Sequence, residues 1–164
     1  MIRLGKKEDL NALAQIVRET IIDMQSYGSD QWDETYPDIE VFRQDIALKN
    51  LYVYEWNNKC VAFICIDDLK PAPYKEINWR YNQPYLIIHR LAVSLQYRGQ
   101  KIATELLTYV EQLALNKNCD YLRIDTYSLN FAMDKLLTKQ QYIRVGEMNL
   151  NKPNSFYCYD KKLN

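Results

Sequence analysis

The sequence has little glycine, a single histidine and no excess of charge. Only four of its 164 residues are glycine, and neither G-x-x-x-x-G-K-[ST] nor G-x-G-x-x-G occurs in it. A Walker-type nucleotide loop and a dinucleotide-binding fingerprint are therefore excluded. Lysine plus arginine (21) balance aspartate plus glutamate (21), and no basic stripe is present, so we do not expect the chain to bind nucleic acid.

Segments that would direct the chain to a membrane are also missing. The N-terminal MIRLGKKEDL is charged and lacks the apolar run of a signal peptide, and no apolar run is long enough to cross a bilayer. The cysteines contain no C-x-x-C pair, and they are Cys60, Cys65, Cys119 and Cys158. We interpret them as reduced core residues of a cytoplasmic protein, with a reactive thiol as the alternative, and we expect no metal and no membrane partner.

The pattern of apolar residues predicts a mixed α/β protein. Runs rich in β-branched and aromatic residues indicate strands, among them 51–56, 60–67, 85–93 and 121–127. Asn57-Asn58-Lys59, between the first two runs, predicts a hairpin turn, and the segment 70–84, with three prolines, predicts a loop. Apolar residues at helical spacing indicate helices after Asp9, after Asp38, from Ile102 and around 133–140. The predicted order is β α α β β β α β α β β, which favours a mixed sheet with helices on both faces. The length predicts one compact domain over residues 1–164.

Gly99 stands where the fourth predicted strand gives way to the third helix, in VSLQYRGQKIATELL (93–107). The first turn of a helix exposes unpaired N–H groups and the positive end of the helix dipole, which makes it a cradle for phosphate oxygens. Glycine lets the backbone approach closely or adopt a positive φ, and Arg98 and Lys101 add local positive charge. Alternatively, Gly99 only ends a turn and both cations face water.

This stretch resembles the acetyl-coenzyme A motif of the GNAT (GCN5-related N-acetyltransferase) family, in which a strand is followed by [Q/R]-x-x-G-x-[G/A] at the start of a helix. Arg98 and Ala103 match the pattern, whereas Lys101 replaces the usual central glycine. The segment NFAMDKLLTKQQY (130–142) is similar to a second family motif, with Leu137 where a proton-donating tyrosine is common. The element order is also the family's, so the resemblance implies a mostly antiparallel central sheet of about seven strands flanked by about four helices on both faces.

The resemblance implies a site for acetyl-coenzyme A (acetyl-CoA) as cosubstrate. Main-chain groups at the end of the fourth strand would hold the thioester and pantetheine, the following loop would hold the pyrophosphate, and Asn130 would contact the pantetheine arm. The implied cofactor-binding residues are Leu91, Ala92, Val93, Arg98, Gly99, Gln100, Lys101, Ile102, Ala103, Thr104 and Asn130.

Transfer of an acetyl group to an amine needs a proton acceptor and a departing thiolate. His89 lies on the fourth strand near where the family often places its base; alternatively it only hydrogen-bonds a neighbour. Asp125 and Glu34 are further candidates, acting through a water. Because Leu137 cannot donate a proton, Tyr127 is the hypothesised acid, with solvent as the alternative. On this hypothesis Tyr127→Phe lowers turnover at least about tenfold.

Trp32 and Tyr36 lie in a predicted loop and are the candidate walls of the acceptor site. Alternatively, these aromatic side chains only cap the core. The implied function is an acetyl-CoA-dependent N-acetyltransferase acting directly on a primary amine of a small molecule or peptide. The alternative from another class is a non-catalytic acyl-CoA-binding sensor or regulatory module. The two C-terminal strands could form the edge of a homodimer.

Overall fold

The structure is a computed structural model that describes residues 1–163. Within those residues, seven strands and four α-helices follow the predicted order. They are β1 (Ile2–Leu4), α1 (Leu10–Ser26), α2 (Ile39–Ala47), β2 (Leu51–Trp56), β3 (Lys59–Asp67), β4 (Leu86–Val93), α3 (Ile102–Asn116), β5 (Tyr121–Tyr127), α4 (Phe131–Lys139), β6 (Ile143–Met148) and β7 (Phe156–Lys162). Short 3-10 turns cover Lys7–Asp9, Ala72–Glu76 and Leu95–Tyr97.

The strands form one sheet in the order β1-β2-β3-β4-β5-β7-β6. The pairs β1–β2, β2–β3, β5–β7 and β6–β7 are antiparallel, and β4–β5 is parallel. The predicted fold class, a mixed and mostly antiparallel sheet with four helices, is therefore confirmed. The described residues cluster into two compact units, 1–66 with 90–109 and 67–89 with 110–163. The single domain predicted over 1–164 stays a prediction.

In the first unit, helices pack on both faces of β2 and β3. Side chains of a strand alternate between the two faces of a sheet. Val53 and Phe63 belong to the apolar core formed with α1 and α2. On the opposite face, the Tyr54 hydroxyl donates to Glu105 of α3 at 2.9 Å. The burial of these strands on both faces explains why their sequences are nearly continuous apolar runs.

In the second unit, β5 and β7 carry a helix on one face and a long loop on the other. The Tyr159 hydroxyl of β7 donates to Asp134 of α4. The loop 68–85 covers the other face, where Tyr74 packs in a core cluster with Cys158. That loop was predicted to be without regular structure, but it contains the 3-10 turn Ala72–Glu76, which follows Pro71. Proline at the start of a helical turn costs no hydrogen bond there.

Two local predictions had different outcomes. The hairpin predicted at Asn57 and Asn58 is confirmed, since β2 ends at Trp56 and both asparagines have positive φ (49° and 60°). Asp9 directly precedes α1 as predicted, but its side chain does not cap that helix. It accepts instead from the Lys6 amide at 2.8 Å and pairs with Arg3. The Asp9 carboxylate thus binds groups that precede it in the chain and does not cap the helix that follows it.

Candidate active site

The fourth strand changes its pairing in the middle of its length. Its parallel ladder with β5 runs from Leu86 to Ile88, where Ile88 lies opposite Ile124. His89 is the first residue of β4 beyond that ladder. Arg90 then has a φ of 44°, in the left-handed region that residues other than glycine rarely adopt. Such a distortion leaves main-chain groups of a strand without ladder partners, which is typical of functional sites.

His89 belongs to the second unit and faces a buried carboxylate. Its Nε2 lies 3.1 Å from Oδ1 of Asp67, whose side chain is 4% exposed. The His89 side chain itself is 19% exposed. In the tautomer that carries its proton on Nε2, the ring donates to Asp67 and Nδ1 is left as a proton acceptor. This arrangement suits a general base.

Asp125 is the second carboxylate near His89. Its Oδ2 accepts a hydrogen bond of 2.5 Å from the Tyr74 hydroxyl. Burial raises the pKa of Asp125, and the Tyr74 hydrogen bond and the nearby His89 ring oppose the rise only in part. Burial also raises the pKa of Tyr74, further increased by the Asp125 charge. Asp125 therefore holds its proton more readily than an exposed aspartate.

Arg90 anchors a polar network in the first unit. Its guanidinium makes hydrogen bonds of 2.8 Å and 2.7 Å to the two carboxylate oxygens of Asp45 on α2. Its Nη1 also donates to the Tyr36 hydroxyl at 3.0 Å. The Cys65 thiol donates to Asp45 at 3.3 Å, and burial raises the pKa of that thiol well above its usual value. The buried network fixes the main chain of the residue that follows His89.

The loop between β4 and α3 has alternating backbone conformations. Arg98 is extended, Gly99 has a φ of 78°, and Lys101 has a φ of 63°. Lys101 therefore adopts the left-handed conformation that the usual glycine of the motif adopts without strain. Successive N–H groups in alternating right- and left-handed conformations form a concavity that binds anions. The lysine at position 101 thus has a backbone conformation that favours glycine.

The amides of the loop fall into two groups, since those of Ser94, Tyr97 and Arg98 donate to carbonyl groups whereas those of the following residues do not within residues 1–163. Among residues 1–163, no hydrogen bond is donated by the amides of residues 99–104, whereas the Glu105 amide donates to the Lys101 carbonyl at 3.0 Å. The first turn of α3 therefore offers a row of donors. Arg98 is 43% exposed, as the solvated alternative expected, but its Nη1 also pairs with Asp23 at 2.6 Å and its Nε donates to the Val93 carbonyl. Part of its charge is therefore balanced within the protein, which leaves the amides of residues 99–104 as candidate donors to an anion.

Trp32 and Tyr36, the predicted acceptor walls, have different surroundings. Trp32 is 6% exposed and stacks on Phe63 with ring centroids 6.3 Å apart, so it is part of the core. Tyr36 is 42% exposed, and its hydroxyl accepts the hydrogen bond from Arg90. Tyr36 is thus the accessible member of the pair, while Trp32 packs in the core as the alternative expected.

Tyr127, Asn130 and Leu137 lie in the second unit. Tyr127 is fully buried, and its hydroxyl accepts from the main-chain and side-chain nitrogens of Asn154 at 3.1 Å and 3.3 Å. Asn130 is the N-cap of α4, where its side chain accepts from the Met133 amide at 3.2 Å. Leu137 is buried in the core. The proposed roles of Tyr127 and Asn130 stay predictions.

Sequence reasoning missed Asp67, Asp45 and Tyr74. Each is a partner of a predicted site residue or of its neighbour, but the partners are separated by 22 residues (His89 and Asp67), 45 (Arg90 and Asp45) and 51 (Tyr74 and Asp125). Pairings at such separations leave no periodic signal in a single sequence. The only hint for Asp67 is its place at the end of a strongly apolar strand.

Residues 1–163 contain neither a cluster of metal-binding side chains nor a membrane-spanning helix. No group of three or more histidine, cysteine, aspartate or glutamate side chains is arranged to hold a metal ion. No helix in this part of the chain combines the length and the apolar character needed to cross a membrane.

Comparisons with known proteins agree with this geometry. The model of the acetyltransferase (GNAT) family matches residues 15–142. A curated relative, the S-alkylcysteine N-acetyltransferase of Bacillus subtilis (strain 168), is 26% identical over 120 residues, which cover 70% of this chain and 61% of that protein. The chain thus aligns with less than two thirds of that relative's length.

Two solved structures are similar over the whole chain. A Staphylococcus aureus Mu50 protein proposed to be an acetyltransferase is 34% identical, with a TM-score of 0.80 and coverage of 100% of this chain and 99% of the other. A GNAT-family acetyltransferase of Streptococcus agalactiae 2603 is 25% identical, with a TM-score of 0.87 and coverage of 100% and 95%. This chain therefore belongs to the acetyltransferase (GNAT) family, which confirms the predicted family and class of enzyme.

Proposed function

We propose that this protein transfers the acetyl group of acetyl-CoA directly to a primary amine of a small molecule or peptide. The observation that carries the proposal is the row of unpartnered N–H groups at residues 99–104, where α3 begins. These donors and the positive end of the helix dipole suit the diphosphate of coenzyme A. Gly99 and Lys101 have positive φ angles, which occur in the turns whose successive N–H groups bind anions.

The reacting end of the cosubstrate would lie along β4. Leu91, Ala92 and Val93 follow the distortion at Arg90, and their main-chain groups are the candidates to bind the thioester and pantetheine. A hydrogen bond from a main-chain N–H to the thioester oxygen stabilises the negative charge that develops there as the amine attacks. The nitrogen then bonds to the carbonyl carbon, and the carbon–sulfur bond breaks.

His89 accepts the proton of the attacking amine in this proposal. Asp67 holds the Nε2–H, so Nδ1 takes the proton directly or through a water. The departing thiolate is protonated by solvent in this proposal, with Tyr127 as the alternative donor. Asn130 would contact the pantetheine arm, as in the family motif.

In this proposal the first candidate acceptor is the amino group of an amino acid. The Bacillus subtilis relative acts, by its name, on the amino group of an S-alkylcysteine, which supports an amino-acid acceptor. Tyr36 and the carboxylates Asp30 and Glu34 lie on one exposed or half-buried loop of the first unit. A loop with this charge favours a cationic amine approaching from solvent.

A panel of amines tests the proposal through the release of coenzyme A thiol from acetyl-CoA. We expect thiol release with at least one amino acid or peptide amine. The His89→Gln variant keeps a donor for Asp67 but cannot accept a proton, so we expect its kcat to fall about 10² to 10⁴-fold. Its affinity for coenzyme A should stay within about twofold, because the diphosphate donors are unchanged.

The outcomes separate the claims. Equal rates of thiol release in wild type and His89→Gln would support the transferase activity and contradict the role of His89 as general base. Tight coenzyme A binding without thiol release from any amine would instead support the acyl-CoA sensor, the alternative that Lys101 and Leu137 suggested. No binding of coenzyme A would contradict both.

We also propose a cytoplasmic location and a homodimer that uses the C-terminal strands. β6 is the terminal strand of the sheet, and an edge strand is a template for pairing with a second copy. Light scattering of the purified protein measures its mass in solution, and we expect the mass of two chains. The mass of one chain at all protein concentrations would contradict the dimer.

A further inference from the structure

The second unit contains a cavity of about 370 Å³, and His89 is not among the residues that line it. Its wall is built by the loop 70–85 and by Arg123 of β5. Cations and aromatic rings dominate the lining, with Lys70, Lys75, Trp79, Tyr81, Tyr85 and Arg123 among its members. No aspartate or glutamate of the described chain lines it. A cavity with this composition has a positive potential.

Arg123 is the central feature of this cavity. The residue is 7% exposed, yet its Nε lacks a hydrogen-bond partner in the part of the chain that is described. Its Nη2 donates to the Tyr81 carbonyl at 3.2 Å. Other buried or half-buried arginines have carboxylate partners: Arg3 pairs with Asp9, and Arg90 with Asp45. A buried cation with an unused donor is costly unless a ligand completes it.

Aromatic rings hold the guanidinium in place. Its central carbon lies 4.3 Å from the Trp79 ring centroid and 3.7 Å from that of Tyr85. These contacts cover its faces, which leaves its N–H edge for a planar anion. The wall is itself fixed, because Trp79 Nε1 donates to the Tyr74 carbonyl at 2.8 Å. The cavity is therefore largely formed before a ligand arrives.

We propose that this cavity binds a small aromatic carboxylate. The carboxylate accepts from the N–H groups of Arg123 that the Tyr81 carbonyl leaves unused, among them the unpartnered Nε. The ligand's ring packs against the aromatic wall formed by Tyr81 and Trp79. The exposed Lys70 and Lys75 attract the anion to the entrance. This inference is independent of the proposed acetyl transfer.

Benzoate is the probe, and NMR saturation transfer to its ring protons measures binding to the full chain without acetyl-CoA. We expect a dissociation constant on the order of 1 mM, typical of a ligand of this size. Benzamide has the same shape without the charge, and we expect it to bind at least about tenfold more weakly. Equal binding of benzamide and benzoate would overturn the carboxylate assignment.

Variants of the full chain locate the site. Arg123→Gln should lower the affinity for benzoate at least about tenfold. Lys75→Gln should lower it only about threefold, because Lys75 is exposed. The matched control is Arg144→Gln, which removes another arginine over a tyrosine ring (3.3 Å from the Tyr157 centroid) in the same unit but outside the cavity. It should bind as wild type does.

Three results would contradict the proposal. The first is no binding of benzoate at a concentration tenfold above about 1 mM. The second is a loss of benzoate affinity in Arg144→Gln that equals the loss in Arg123→Gln. The third is displacement of benzoate by an equal concentration of inorganic phosphate, which indicates an unspecific anion site. If Arg123→Gln does not fold, the benzamide comparison and Lys75→Gln decide, because both use folded protein.

Discussion

Arg90 and Asp45 form a two-pronged ion pair where β4 leaves the extended conformation. Arg90 has a φ of 44°, and its guanidinium lies 2.7 Å and 2.8 Å from the two Asp45 oxygens. Both side chains are nearly buried, at 13% and 9% exposed. An arginine in this conformation costs on the order of 1 kcal/mol, and the pair with α2 offsets that cost. The distortion next to His89 is thus imposed by tertiary structure.

Removing one partner of this pair should destabilise the protein strongly. Asp45→Asn leaves the Arg90 charge buried without a carboxylate, and we expect the free energy of unfolding to fall by about 3 kcal/mol in urea denaturation. Asp23→Asn is the control, because Asp23 pairs with Arg98 at the surface (31% exposed). It should cost less than about 1 kcal/mol. Equal losses in the two variants would show that the buried pair does not hold the strand.

The positive φ of Lys101 predicts that substitution by glycine and substitution by glutamine affect stability differently. Lys101→Gly relieves the positive φ of 63°, so we expect stability to be unchanged or raised by up to about 1 kcal/mol. Lys101→Gln keeps the strain and removes the same charge. If the amides bind the diphosphate, both variants should keep their coenzyme A affinity within about fivefold in calorimetry. Loss of binding in both would assign the affinity to the lysine ammonium instead.

Tyr127→Phe separates a chemical role from a packing role. The Tyr127 hydroxyl is buried and accepts two hydrogen bonds from Asn154. We therefore expect the variant to lower the free energy of unfolding by about 1 kcal/mol while kcat changes less than about twofold. Steady-state kinetics and thermal melting measure both. A fall in kcat of about tenfold or more at unchanged stability would instead establish Tyr127 as the acid.

The raised pKa of Asp125 predicts a pH dependence of stability. A carboxyl whose pKa is raised in the folded state, here mainly by burial, holds its proton more tightly folded than unfolded. Its contribution to stability is complete below the unfolded pKa of about 3.9 and is lost as the pH rises through the raised value. The stability of wild type relative to Asp125→Asn should therefore decline from about pH 4 toward pH 7.

Asp120 provides a control of opposite sign for that measurement. The hydrogen bond from Lys162 lowers the pKa of Asp120. The stability of wild type relative to Asp120→Asn should thus rise, not decline, over the lower part of the same pH range. A difference for Asp125→Asn that also rises with pH would contradict the assigned cause.

The order of elements and the position of the loop before α3 were predictable from local sequence. The hairpin turn follows from two asparagines that tolerate positive φ, and the start of α3 at Ile102 follows from its apolar spacing. The GNAT motif placed the loop at residues 98–104 despite Lys101. These features depend on residues close together in the chain.

The surroundings of the candidate side chains were not predictable in the same way. That Trp32 stacks on Phe63, and that Arg98 pairs with Asp23, depends on contacts between distant segments. The left-handed φ of Arg90 is set by Asp45 and Tyr36. No local propensity of arginine indicates it, because arginine has no preference for that conformation.

The most direct test is a crystal structure of the protein with acetyl-CoA. We predict diphosphate oxygens within about 3.2 Å of several main-chain nitrogens of residues 99–104, a normal N–H···O distance. A bound cosubstrate whose diphosphate lies elsewhere, or contacts only the Lys101 ammonium, would contradict the account.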